Sequence, residues 1–131
     1  MMKLLAQQKR ILVLDNENRI QPIVDEIEIY GDYNLVTIYD SNAVYDKAKV
    51  FKPDLIIMDY MLLDGNCVLV CDDLKQDTEL QAVPIIIVTA YKTKMANKDL
   101  FNCDALFIKP LDIRVLASKM DYLMAVKIVC T

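Results

Sequence analysis

Histidine is absent from the 131 residues, and glycine occurs only at Gly31 and Gly65. Without histidine, neither a Ser-His-Asp nor a Cys-His arrangement can activate a nucleophile, and no mixed Cys/His metal site can form. Carboxylates, lysines, tyrosines and hydroxyls are left to do any chemistry. Two isolated glycines provide no glycine-rich phosphate loop, which argues against a nucleotide- or flavin-binding domain. Lys and Arg number 15 against 19 Asp and Glu, for a net charge of -4, and the basic residues form no cluster. Phosphate backbones are held by clustered cations, so no direct nucleic-acid partner is expected. No stretch approaches the ~20 apolar residues of a membrane span, and the N-terminal residues lack an apolar core of signal-peptide length. The expectation is a cytoplasmic chain with no membrane partner. Cys67, Cys71, Cys103 and Cys130 match no disulfide or zinc framework. Cys67 and Cys71 would share a helix face and read as core thiols in a reduced compartment rather than as a metal pair.

What the sequence does have is apolar mass: 55% hydrophobic residues against 26% charged, the balance of a folded chain. Its length suits one domain, 1–131. Short apolar runs recur at Ile11 to Leu14, Leu35 to Ile38, Leu55 to Met58, Ile85 to Val88 and Leu106 to Ile108. Runs rich in Ile, Val and Leu between polar residues predict strands covered on both faces. Helical spacing follows them: Ile20, Ile23, Val24 and Ile27; then Val44, Ala48 and Phe51, with Ser41 or Asn42 as cap; then Val68, Cys71 and Leu74. The last helix shows Leu116, Met120 and Leu123, with Asp112 as its N-cap. Tyr91 to Phe101 is more polar, but its length and the alternation predict a helix there too. The result is an α/β chain of (βα)5 type, an open, doubly wound parallel sheet.

In such a sheet, ligands bind beyond the carboxyl ends of the strands. The residues there are Asp15, Asn16 and Glu17 after the first strand, Asp59 after the third, Thr89 after the fourth and Lys109 after the fifth. Singly, each has an ordinary explanation: a helix cap for Asp15, strand for Thr89, a solvated charge for Lys109. Jointly they form a pattern, since Asp59 and Lys109 each follow a run too apolar to expect a charge. Carboxylates and amide oxygens favour a hard cation such as Mg2+, while a lysine and a hydroxyl opposite suit a phosphoryl group. A divalent cation relieves the repulsion between clustered carboxylates and keeps one of them ionised as nucleophile. Charge neutralisation and positioning can then carry phosphoryl transfer.

The segments Arg10-Ile-Leu-Val-Leu-Asp-Asn-Glu17, Pro53-Asp-Leu-Ile-Ile-Met-Asp-Tyr-Met-Leu-Leu-Asp-Gly65, Pro84-Ile-Ile-Ile-Val-Thr-Ala90 and Ala105-Leu-Phe-Ile-Lys-Pro-Leu111 resemble the conserved blocks of receiver domains of bacterial two-component response regulators. The resemblance implies a flavodoxin-like sheet of order 2-1-3-4-5. Asp59 would accept a phosphoryl group from a sensor histidine kinase or histidine phosphotransfer protein, with Mg2+ held by Asp15, Asn16, Asp59 and the backbone carbonyl of Met61. Thr89 and Lys109 would contact the phosphoryl oxygens, and Lys109-Pro110 would be a cis peptide. Such a domain catalyses its own aspartyl phosphorylation and dephosphorylation, although its work is signalling.

Departures from the family pattern bear on the output. Asn16 stands where a second acid is usual, so Mg2+ binding is expected to be weaker, with Glu17 placed to compensate through a water. Leu63 replaces a proline and Cys67 a glycine. In the family, a switch aromatic follows the movement of the residue at Thr89 and alters the face formed by the fourth helix, fifth strand and fifth helix. Leu106 occupies that aromatic's position and has no rotating ring. Asn16 and Leu106 favour the alternative, a degenerate receiver used as a non-phosphorylated interaction module; Asp59, Thr89 and Lys109 oppose it. Val115, Tyr122 and Val126 widen the apolar surface of the last helix beyond its core stripe, so a homodimer or a downstream partner is expected there. No effector region is apparent, which leaves a stand-alone regulator and a receiver of a longer protein both open.

Overall fold

A computed structural model describes residues 8–15, 18–60, 67–90 and 102–129, with side chains through 125. Five parallel strands form one sheet: β1 (Lys9–Leu14), β2 (Tyr33–Ile38), β3 (Leu55–Asp59), β4 (Ile85–Thr89) and β5 (Ala105–Ile108). Their spatial order is β2-β1-β3-β4-β5, as the resemblance implied. Four described helices accompany them: α1 (Gln21–Tyr30), α2 (Val44–Phe51), α3 (Cys67–Gln76) and α4 (Ile113–Val129). The helix predicted over 91–101 lies outside the described residues.

Every residue of β3 and β4 is buried, as are the last four of β1. The pleat sends alternate side chains to opposite faces. Leu12, Leu14, Ile56, Met58, Ile85 and Ile87 pack with Val44 and Ala48 of α2 and with Cys67, Val70, Cys71 and Leu74 of α3. Ile11, Val13, Leu55, Ile57, Ile86 and Val88 pack with Val24 and Ile27 of α1 and with Leu116, Met120 and Met124 of α4. Burying each large aliphatic side chain contributes roughly 1.5–3 kcal/mol, so the central strands hold most of the hydrophobic stabilisation. The expectation of full coverage fails at the sheet edges. β2 is only partly buried, and beyond Ala105 so is β5, because a strand at the edge has a neighbour on one side only.

Helix ends differ in detail from the sequence reading. Ile20 is buried but serves as the N-cap residue of α1, one position outside the helix. Neither Ser41 nor Asn42 caps α2. They form a 3-10 turn, Ser41–Ala43, capped by Asp40, whose Oδ1 accepts from the Asn42 N–H at 2.9 Å. The chain leaves α2 through Lys52, a non-glycine residue at φ 53, and Pro53 then prevents the helix from continuing. Asp112 does cap α4, accepting from the Arg114 N–H at 2.9 Å, an arrangement worth about 1 kcal/mol. The α4 stripe is wider than expected, with Ala117 and Met124 buried beside Leu116 and Met120. In α3, Cys67 and Val70 are buried while Val68 is half-exposed.

Candidate phosphoryl-acceptor site

Parallel pairing aligns the strand ends along one edge of the sheet. Leu14 pairs with Met58, so Asp15 and Asp59 follow side by side; Asp59 pairs with Val88, and Thr89 with Ile108. Backbone bonds continue just past the ladder and fix what comes next. The Asp15 N–H donates to the Ile38 carbonyl at 3.0 Å, and the Lys109 N–H to the Thr89 carbonyl at 2.8 Å. The Lys109-Pro110 peptide is cis. The structure therefore brings Asp15, Asp59, Thr89 and Lys109 to one edge, as the sequence suggested. Asn16, Glu17, Met61 and Leu63 lie outside the described residues.

Asp15, Asp59 and Thr89 are buried polar residues, with 0%, 2% and 2% exposure. Buried carboxylates need compensation by hydrogen bonds or cations. Asp15 Oδ1 accepts from the Arg19 N–H at 2.8 Å and Oδ2 from the Ile20 N–H at 3.1 Å. It thus satisfies two backbone donors in the turn that leads into α1, although the N-cap residue of that helix is Ile20 and not Asp15. Each carboxylate oxygen keeps a further lone pair, so this duty leaves Asp15 able to ligate.

Asp59 has a cationic neighbour that the sequence reading missed: Arg19 Nε lies 3.7 Å from Asp59 Oδ2. Arg19 also accepts, at its backbone carbonyl, a 2.8 Å hydrogen bond from Lys109 Nζ. A basic residue ahead of an apolar helical stripe carries no signal of its own. Its placement between Asp15 and Lys109 shows only once the strands are aligned. Among the described residues, no three His, Cys, Asp or Glu side chains converge on one metal position. The donor set around the edge is nonetheless all oxygen, the kind a hard cation takes.

Behind Asp59, the Met58 sulfur meets the thiols of Cys67 and Cys71 at 3.8 and 3.9 Å. The Cys67 thiol pKa is raised, first by its hydrogen bond to Cys71 and then by burial. Both cysteines are core thiols, as expected. Leu106, where the resemblance implied a switch residue, is partly buried against the α2–α3 side of the sheet, whereas Phe107 packs on the opposite side. No described helix is long and apolar enough to cross a membrane.

A family model described as the response regulator receiver domain matches residues 11–121. The response regulator ArlR of Staphylococcus aureus is 32% identical over 114 residues, which cover 85% of this chain and 50% of that protein. The chain thus spans about half the length of the curated relatives it matches. Among solved structures, a response regulator receiver domain protein from Methanospirillum hungatei aligns with a TM-score of 0.80 at 19% identity, covering 95% of this chain and 100% of that one. The receiver domain of a sensor histidine kinase from Pseudomonas aeruginosa, solved with a magnesium ion coordinated in its active-site cleft, aligns with a TM-score of 0.78 at 16% identity, covering 91% and 99%.

Proposed function

The chain belongs to the response regulator receiver domain family, and on that premise we propose that it accepts a phosphoryl group on Asp59 in a Mg2+-dependent reaction and changes its output face in response. The observation that carries this reading is the pair of buried carboxylates, Asp15 and Asp59, on neighbouring strand ends, with Thr89 and Lys109 on the same edge. The donor is a phosphohistidine of a sensor histidine kinase or a histidine phosphotransfer protein. An Asp59 carboxylate oxygen attacks phosphorus, the phosphorus–nitrogen bond breaks, and the departing imidazole keeps the electron pair and takes a proton.

Asp15, Asn16, Asp59 and the Met61 carbonyl would hold Mg2+, which when bound supplies positive charge to the acidic cluster and to the transferring phosphoryl group. Lys109 contributes a further positive charge on the β5 side, and the Thr89 hydroxyl a hydrogen bond to a phosphoryl oxygen. Burial of Asp59 strengthens each of these interactions by excluding water. Thr89 and Leu106 form the route to the output face, Leu106 by repacking rather than by ring rotation. The test is localisation: incubation with acetyl phosphate and Mg2+, borohydride trapping of the acylphosphate and peptide mapping. Modification at Asp59 supports the assignment, and modification at another carboxylate refutes it.

A further inference from the structure

Arg19 touches three members of the acceptor constellation at once. Its N–H donates to Asp15 Oδ1 at 2.8 Å, its carbonyl accepts from Lys109 Nζ at 2.8 Å, and its Nε lies 3.7 Å from Asp59 Oδ2. The backbone is therefore anchored by groups on two strand ends, while the guanidinium reaches a third. The exposures of the ion pair are unequal: the Arg19 side chain is 42% exposed and that of Asp59 only 2%. A half-exposed guanidinium can exchange its carboxylate for water at modest cost. The buried carboxylate, in contrast, loses compensation for its desolvated charge when a cation leaves it. A divalent cation on the same carboxylate would meet the like charge of Arg19 at close range.

Resting on the reading of Asp59 as phosphoacceptor, we infer that Arg19 is the internal counter-ion of the site, a positioning residue whose guanidinium competes with the divalent cation for Asp59. Arg19 neutralises Asp59 while the metal is absent and gives way when it binds. It thereby sets the cation concentration at which the acceptor becomes competent. Only the side chain has to move, because Asp15 and Lys109 hold the Arg19 peptide units in place.

The experiment is a Mg2+ titration of the full chain by isothermal titration calorimetry at low ionic strength, comparing wild type, Arg19→Gln and Arg19→Lys, each also in an Asp59→Asn background. Removing the competing charge in Arg19→Gln should tighten Mg2+ binding about three- to fivefold, the upper part of the range for a partly exposed ion pair. The gain should shrink as salt is raised, Arg19→Lys should stay near wild type, and Asp59→Asn should abolish the difference. Thermal melting supplies a second readout: Arg19→Gln should have a lower metal-free Tm and a larger rise with Mg2+, whereas a merely structural arginine would lower both melting temperatures alike. Should Arg19→Gln fail to fold, Arg19→Met takes its place. Unchanged or weaker Mg2+ binding in the neutral variant, or tightening that survives in Asp59→Asn, overturns the inference. Asp59 labelling is scored on the same samples. Labelled protein with unchanged Mg2+ affinity sinks the counter-ion role alone, and unlabelled wild type that still shows the competition sinks the acceptor reading alone.

Discussion

Lys109 Nζ donates a 2.8 Å hydrogen bond to the Arg19 carbonyl, joining the end of β5 to the entrance of α1 across the sheet edge that carries Asp59. In this arrangement the lysine that would meet a phosphoryl group is also part of the frame that positions Arg19.

Lys109→Met should therefore separate the two duties. Phosphorylation by a small acylphosphate donor should slow on the order of a hundredfold, the usual cost of losing one preorganised charge at a developing anion. The free energy of unfolding should change by less than about 1 kcal/mol, since a partly exposed hydrogen bond contributes little net stability. Lys109→Arg should restore stability better than rate, because a planar guanidinium does not replace a point charge at the same place. Stopped-flow kinetics and urea melts measure the two effects. A rate within a few-fold of wild type would remove Lys109 from the chemistry.

On the far side of the molecule, the Tyr33 hydroxyl donates to Asp121 Oδ1 at 2.9 Å, tying the start of β2 to α4. The Tyr33 pKa is pushed up from 10.0 to about 12, first by burial and then by the hydrogen bond to Asp121 and its charge. The folded value lies above the unfolded one, so folding favours the neutral phenol. This contribution is complete below about pH 10 and is lost as pH rises towards about 12. Urea melts across that window should show a steeper decline in wild type than in Tyr33→Phe; parallel declines would contradict the assignment. Gly31 lies beneath the same ring, where an added Cβ would collide with it. Gly31→Ala should accordingly disturb the Tyr33–Asp121 bond as well.

Thiol chemistry offers a check on the core. Cys67, Cys71 and Cys103 are buried. The Cys103 pKa is pushed up to about 12, mainly by burial, and that of Cys67 is raised by Cys71 and burial. Since the thiolate is the reactive form, a Cys130→Ser chain should resist a disulfide reagent such as DTNB at neutral pH until denaturant is added. Rapid native labelling of any of the three would show that the α3 side of the sheet opens readily.

How much of this was legible beforehand follows from where each signal resides. Central strands announced themselves because burial on both faces demands an unbroken apolar run, as in Ile85 to Val88. The first residues of β1 and β2 were missed because Lys9, Arg10, Tyr33 and Asn34 pair in the ladder without needing an apolar side chain. The start of α2 is not legible from residue type, because Ser41 and Asn42, which suit a cap, belong to a 3-10 turn that Asp40 starts. Asp15, Asp59, Thr89 and Lys109 were readable because polar residues at the ends of apolar runs stand out. Arg19 was not, since its meaning depends on the tertiary approach of Asp59.

The surface of α4 exposes Val115 and Tyr122 at 56% and 60%, beside the partly buried Phe107 on β5; the side chain of Val126 is outside the described residues. We expect the domain to self-associate through this face on activation. Sedimentation equilibrium should show a dimer with beryllofluoride and Mg2+ that Tyr122→Glu weakens at least about tenfold, as loss of an aromatic interface anchor commonly does. A monomer at high concentration under both conditions would count against the dimer.

The most direct measurement is intact-mass spectrometry of the native chain after acetyl phosphate treatment, with Mg2+ or with EDTA, alongside Asp59→Asn. Assignment of Asp59 as the acceptor predicts one added phosphoryl group in the presence of Mg2+, little or none with EDTA, and none in Asp59→Asn under either condition. The same adduct persisting in Asp59→Asn, or no adduct in the native chain at saturating Mg2+, would contradict it.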